Sequence, residues 1–106
     1  MTKWEVWLAS VRFDDSKEIK TRPVVIYEDK IAYIISFKVT SHEPRKNFIG
    51  EYQLKNWKAA GLKKKSVVRL HKKLKMYESD FIKKIGDLDD CDIFSICQLL
   101  RFYNKL

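Results

Sequence analysis

Residues 23–40, PVVIYEDKIAYIISFKVT, read as two neighbouring β-strands of an antiparallel sheet. Pro23 fixes its own backbone and disfavours helix in the residue before it, so VVIYED (24–29) starts as extended chain. IAYIISFKVT (31–40) is a β-branched and aromatic run with no breaker, the composition of a central strand. Asp29-Lys30 is the expected tight turn between them.

The flanking segments extend the same reading. WEVWLASVRF (4–13) alternates Trp4, Val6 and Leu8 against Glu5, Trp7 and Ala9, the pattern of a half-buried strand, and DDSKEIKTR (14–22) is a polar loop. SHEPRKN (41–47) is loop by composition, and FIGEYQL (48–54) reads as a further strand. Asn56 is placed to cap a short helix WKAA that Gly61 stops. SVVRLHKKLKM (66–76) sets Val67, Arg69 and His71 against Val68, Leu70 and Lys72, giving one or two more strands. Ser79 or Asp80 then caps an expected helix FIKKI ended by Gly86. Asp89-Asp90 opens a closing helix whose stripe Ile93, Ile96, Leu99, Leu100 and Tyr103 is core or dimer contact. The expected fold class is mainly β with helices (α+β), an antiparallel sheet curling into a barrel with a C-terminal helix, in one domain over 1–106.

Composition bounds the function. With 106 residues and 45% hydrophobic content the chain can build a core without a metal or a disulfide, and no metal or cofactor is expected. Cys91 and Cys97 lie six apart in one helix and turn to different faces, so they read as small apolar residues in a reducing compartment. The N-terminus has no apolar leader and no segment is long enough to span a bilayer, so the expected location is cytoplasmic and no membrane partner is expected. The net charge is +8, and from Lys55 to Lys75 there are nine basic residues and no acidic one. Such a field attracts polyanions, nucleic acid first. A lysine-rich face kept for solubility gives the same run, as does a surface for an acidic protein.

Four stretches in order carry a family resemblance: KTRPVVI (20–26), Val39-Thr40-Ser41 at a strand end, NWKAAGLKKKSVVRL (56–70) and SDFIKKIGDLDDCDIFSICQLL (79–100). Together they resemble the MazF/PemK-like toxins of type II toxin–antitoxin systems, in the PemK-like branch. The resemblance implies an SH3-like barrel of the CcdB/MazF/PemK type, usually a homodimer. It also implies a metal-independent endoribonuclease, an mRNA interferase, that cuts single-stranded RNA at short sequences until a cognate acidic antitoxin covers the site.

Such cleavage uses the 2′-hydroxyl as nucleophile, so the protein supplies charge stabilisation, proton transfer and strand positioning. Arg22 matches the family's catalytic arginine, whose guanidinium can fork across two phosphate oxygens. Thr40, with Ser41 beside it, matches the hydroxyl that holds the same phosphate; His42 titrates near neutrality and is a candidate proton carrier. Without the resemblance, Arg22 before a proline reads first as a loop cation, and Thr40 and Ser41 read as a strand terminus closed by local hydrogen bonds. Lys20, Arg45, Lys46, Lys63, Lys64, Lys65, Arg69 and Lys72 are the candidate RNA-backbone contacts. Phe48 and Trp57 are candidates for base stacking, with Trp57 better placed in the core.

Two departures stand out. Lys3-Trp4-Glu5-Val6-Trp7 has tryptophan where the family opening "K/R-G-D/E-I/V-W" has glycine, which implies a differently shaped loop beside the site. Lys72 stands near a position where several members have glutamine. Two other classes remain: a same-fold toxin that inhibits a protein such as DNA gyrase, and a non-catalytic RNA-binding domain.

Overall fold

The computed structural model describes residues 1–12, 18–41 and 50–104. Six antiparallel strands and one helix make up its regular structure: β1 (Glu5–Arg12), β2 (Ile19–Asp29), β3 (Ile34–Thr40), β4 (Glu51–Gln53), β5 (Val67–Met76), β6 (Phe81–Asp87) and α1 (Asp90–Asn104). The strand order is β4-β5-β3-β2-β1-β6.

Alternation along the strands builds two apolar layers. Val6, Val25, Phe37, Val39, Val68 and Leu70 meet Ile96 and Leu100 of α1 on one side, together with Leu54, Ala60, Leu62 and Leu88. Val24, Ala9, Val11 and Met76 form a second cluster with Trp7, Leu74 and Phe81. Ile96 and Leu100 of the expected stripe are buried, and each contributes roughly 2 kcal/mol of burial.

Asp89 caps α1: its carboxylate accepts from the Cys91 backbone N–H at 2.9 Å and from the Asn56 amide at 2.8 Å. One turn later Asp92 is 1% exposed, and its two oxygens accept the Tyr52 hydroxyl (2.7 Å) and the backbone N–H groups of Lys55 and Asn56 (both 3.0 Å). Burial, together with the Asp92 carboxylate, pushes the Tyr52 phenol up to about 12. Asp92→Ala leaves three donors without an acceptor, and a loss of about 3 kcal/mol is expected in urea unfolding. An unchanged midpoint would show that solvent replaces the carboxylate.

Several sequence-based expectations are corrected. FIKKI is not a helix: residues 81–87 form β6, paired along β1, because Phe81 and Ile85 satisfy a strand as well as a helical turn and the open edge of β1 decides between them. Asp80 instead accepts the Tyr77 backbone N–H at 2.9 Å, shaping the short 3-10 turn Glu78–Asp80. WKAA makes turns rather than a helix, with Ala60 N–H donating to Asn56 O at 3.3 Å and Leu62 N–H to Trp57 O at 3.1 Å. Residues 19–22 belong to β2 rather than to a loop, since Arg12↔Ile19 through Ala9↔Arg22 keep register. Pro23 is tolerated inside β2 because pairing with β3 starts only at Val24↔Lys38. The β2–β3 turn spans Lys30–Tyr33, where Lys30 N–H donates to Tyr33 O at 2.9 Å; Asp29-Lys30 lacks the Gly or Asn of a two-residue turn. The expected barrel is a curled sheet whose hydrogen bonding does not close among the described residues.

What draws the two edges together is a pair of glycines. Gly61, at φ +84°, and Gly86 bring the backbone of residues 60–61 against that of 85–86, so that a Cβ on either would overlap the opposite main chain. The 57–62 turn beyond β4 thus seats on β6.

Glu5 ties β1 to β6. Its carboxylate accepts from the Trp7 indole (2.9 Å) and the Thr2 backbone N–H (3.0 Å), and pairs with Lys84 (3.3 Å). The Trp7 hydrogen bond first, then Thr2 and Lys84, hold its pKa at about 2 rather than 4.5 despite partial burial. A depressed pKa stabilises the fold above the unfolded-state value and loses that effect as pH falls through the folded one. The stability advantage of wild type over Glu5→Gln is therefore expected to be full above pH 4.5 and to vanish toward pH 2. After solvent screening it amounts to about 1 kcal/mol. A pH-independent difference in melting temperature would contradict this.

Candidate functional site

Strand periodicity places the site residues. Lys20, Arg22 and Val24 alternate onto one face of β2, Lys38 and Thr40 onto one face of β3, and the Val24↔Lys38 pairing makes these the same face. Lys38 is in turn the register partner of Arg69 on β5, and Thr40 that of Val67. Between Phe37 and Lys38 the pairing jumps from Lys73 to Arg69, so residues 70–72 of β5 have no opposite number. That irregularity bends β5 as it reaches the site.

The result is a groove of about 750 Å³ at one end of the sheet. Thr21, Arg22 and Pro23 of β2 line it, with Lys38, Val39 and Thr40 of β3, Ser41 just after β3, and Arg69 of β5. The 61–66 segment supplies Gly61, Leu62, Lys63, Lys64 and Ser66, and Leu8 and Ile85 complete the wall. Five of these side chains are basic and none is acidic among the described residues. Ser66 Oγ donates to Lys64 O at 2.8 Å and so shapes the lysine turn.

Two details bear on ligand chemistry. The Thr40 hydroxyl oxygen is buried and makes no hydrogen bond among the described residues, a cost in a folded protein that a bound acceptor or donor would remove. The Arg22 Nη1 donates to Thr21 O at 3.2 Å, which holds the guanidinium beside its own strand at the groove wall.

The matching sequence model is that of the family described as "PemK-like, MazF-like toxin of type II toxin-antitoxin system", over residues 2–103. The chain belongs to this family. Among solved structures the PemK-like chain is similar to the Mycobacterium tuberculosis toxin MazF-mt6, with TM-score 0.74 and 18% identity over 96% of this chain and 97% of that one. At that identity the likeness is one of fold. No curated protein matches the sequence.

Of the expected site residues of this PemK-like toxin, Arg22, Thr40, Ser41, Lys63, Lys64 and Arg69 come together in the groove. Lys20 shares the face of Arg22 but does not line the groove; Lys65 is exposed beside it and Lys72 is half-buried on β5. His42, Arg45, Lys46 and Phe48 lie outside the described residues. Trp57 packs against the main core, as its composition suggests. Lys38, Thr21 and Ser66 are absent from the sequence-based set. The period of two in IISFKVT carries the signal for Lys38, which stands two residues before Thr40. Trp4 has φ +74°, the region a glycine enters without strain, so its peptide follows a glycine-like path where the family opening has glycine. Trp4 N–H donates to Ile26 O at 2.7 Å and Leu88 N–H to Trp4 O at 3.0 Å, which hold it there. Among the described residues no helix is long and apolar enough to cross a membrane, and Cys91 and Cys97 are free thiols.

Proposed function

We propose that this type II toxin is a metal-independent endoribonuclease that cuts single-stranded RNA in the groove between Arg22 and Thr40. The observation that carries the reading is the buried Thr40 hydroxyl, without a hydrogen-bond partner among the described residues, in a groove that also carries five cationic side chains. In the reaction the 2′-oxygen attacks the adjacent phosphorus and loses its proton. The P–O5′ bond breaks, and the products are a 2′,3′-cyclic phosphate and a 5′-hydroxyl. Arg22 neutralises the charge that gathers on the non-bridging oxygens, Thr40 and Ser41 donate to the same phosphate, and Lys38, Lys63, Lys64 and Arg69 hold the flanking backbone. A homodimer in the cytoplasm, held inactive by an acidic antitoxin seated over this basic groove, completes the proposal.

The test is a long single-stranded RNA incubated with antitoxin-free protein in excess EDTA. Cuts at a short recurrent sequence with cyclic-phosphate ends support the reading. Intact RNA with folded protein would overturn it and turn attention to gyrase inhibition or simple RNA binding. Thr40→Val is a companion: cleavage is expected to fall about 100-fold. Stability is expected to stay level or rise by up to about 1 kcal/mol, because an unsatisfied hydroxyl is removed. Lower stability with unchanged cleavage would show a structural hydroxyl only.

A further inference from the structure

We propose that His71 is a positioning residue that holds Arg69 in the groove wall, and that it does so only as the neutral imidazole with its proton on Nδ1. The proposal rests on the groove being a phosphate site, but its geometry stands apart from any reaction. Arg69 Nε is buried without a hydrogen-bond partner. The Arg69 guanidinium meets His71 Nε2 through Nη2 at 3.3 Å. A guanidinium nitrogen only donates, so His71 Nε2 must accept and carries no proton. On the far side of the ring His71 Nδ1 stands 3.0 Å from the Gly50 carbonyl, which only accepts, so Nδ1 carries the hydrogen. The backbone N–H of His71 donates to the same carbonyl at 3.2 Å, which fixes the ring at the root as well as the edge. Both contacts name one tautomer.

Arg69 lines the groove and His71 does not, so the histidine acts through the arginine. Adding a proton to Nε2 removes the acceptor and sets two cations against each other at contact distance. The charged groups on the elements beside the ring are Arg69, Lys72, Lys73 and Lys75 on β5, Lys38 on β3 and Glu51 on β4; Lys38 and Glu51 are both register partners of Arg69. Acid that places a proton on Nε2 is therefore expected to release Arg69.

Two measurements test this on the intact chain. Nitrogen-15 NMR of the free protein is expected to show His71 protonated at Nδ1 at pH 8, with the Arg69 Nη resonances shifting as His71 titrates. An Nε2–H tautomer, or Arg69 signals blind to that titration, would overturn the proposal whatever the protein does to RNA. The second measurement is binding of a 2′-O-methyl oligoribonucleotide, which cannot be cleaved, compared with the same protein carrying Arg69→Ala. The Arg69-dependent part is expected to be about tenfold at pH 8 and near onefold at pH 5.5. In His71→Gln, whose amide oxygen can accept from Arg69 without titrating, it is expected to stay about tenfold at both pH values. In His71→Leu it is expected to be near onefold at both. An Arg69 contribution of equal size at both pH values in wild type would also overturn the proposal. Absence of all oligonucleotide binding by folded protein would sink the phosphate-site reading, leaving the NMR result to judge the His71–Arg69 link alone.

Discussion

Arg22→Ala is expected to reduce RNA cleavage about 1000-fold or more with little change in melting temperature. The expectation follows from placement. Arg22 projects from the stretch of β2 that pairs with β1 alone, where its side chain is only partly covered and its Nη1 donates to the neighbouring Thr21 carbonyl at 3.2 Å. Little packing is lost on truncation, whereas the charge opposite the reacting phosphate is lost outright. Arg22→Lys separates the two properties of the guanidinium. It keeps the charge but not the planar fork, so an intermediate loss of about 100-fold is expected. If Arg22→Ala cleaves like wild type while Thr40→Val does not, the catalytic cation is another of the five in the groove. A large drop in melting temperature would instead make Arg22 part of the scaffold.

The sheet was legible where side chains alternate. WEVWLASVRF declares its faces by a period of two and IAYIISFKVT its strand by β-branched and aromatic composition, and β1 and β3 lie within those stretches, while β2 starts at Ile19, before the VVIYED that announces it. Five residues of FIKKI cannot declare a period, because Phe81 and Ile85 fall at helical spacing and are equally good strand residues. Only the vacant edge of β1, a partner some 75 residues away in sequence, makes them a strand. The same limit applies to Asn56: its amide is taken up by Asp89 rather than by a helix start, a contact across 33 residues that no local pattern records.

The site was legible as a set of residue types but not as a shape. Arg22 and Thr40 sit on strands whose register brings them to one face; read alone, the sequence puts Thr40 at a strand end but Arg22 in a loop, because the pairing of residues 19–22 with β1 is not written in KTR itself. Lys38 follows from the same alternation. The Arg69–His71 contact depends on where β5 bends and on the carbonyl of Gly50, neither of which composition foretells. Trp4 is a second case. Its backbone is left-handed, at φ +74°, and is held by Ile26 and Leu88, a conformation that a tryptophan in the sequence does not announce.

Gly61→Ala is expected to cost more stability than Gly86→Ala, about 3 kcal/mol, for two reasons that add. The residue has φ +84°, where an L-side chain is strained by roughly 1 kcal/mol. The new methyl would also meet the Ile85 carbonyl, which is main chain and cannot rotate away, at a further cost of about 2 kcal/mol. Gly86→Ala meets the Ala60 carbonyl from the other side without a positive φ, so its cost is expected to be smaller, about 2 kcal/mol. Because each methyl pushes apart the same two backbones, the double variant is expected to cost less than the sum, by about 1 kcal/mol in urea unfolding. Full additivity would mean that the seam yields independently at each glycine. Gly61, Leu62 and Ile85 also line the groove. Parting the seam therefore moves Lys63 and Lys64 away from Arg22 and Thr40, and Gly61→Ala protein still folded at low temperature is expected to bind the 2′-O-methyl oligonucleotide about tenfold more weakly. Unchanged binding in that folded variant would place the lysine turn's support elsewhere than on β6.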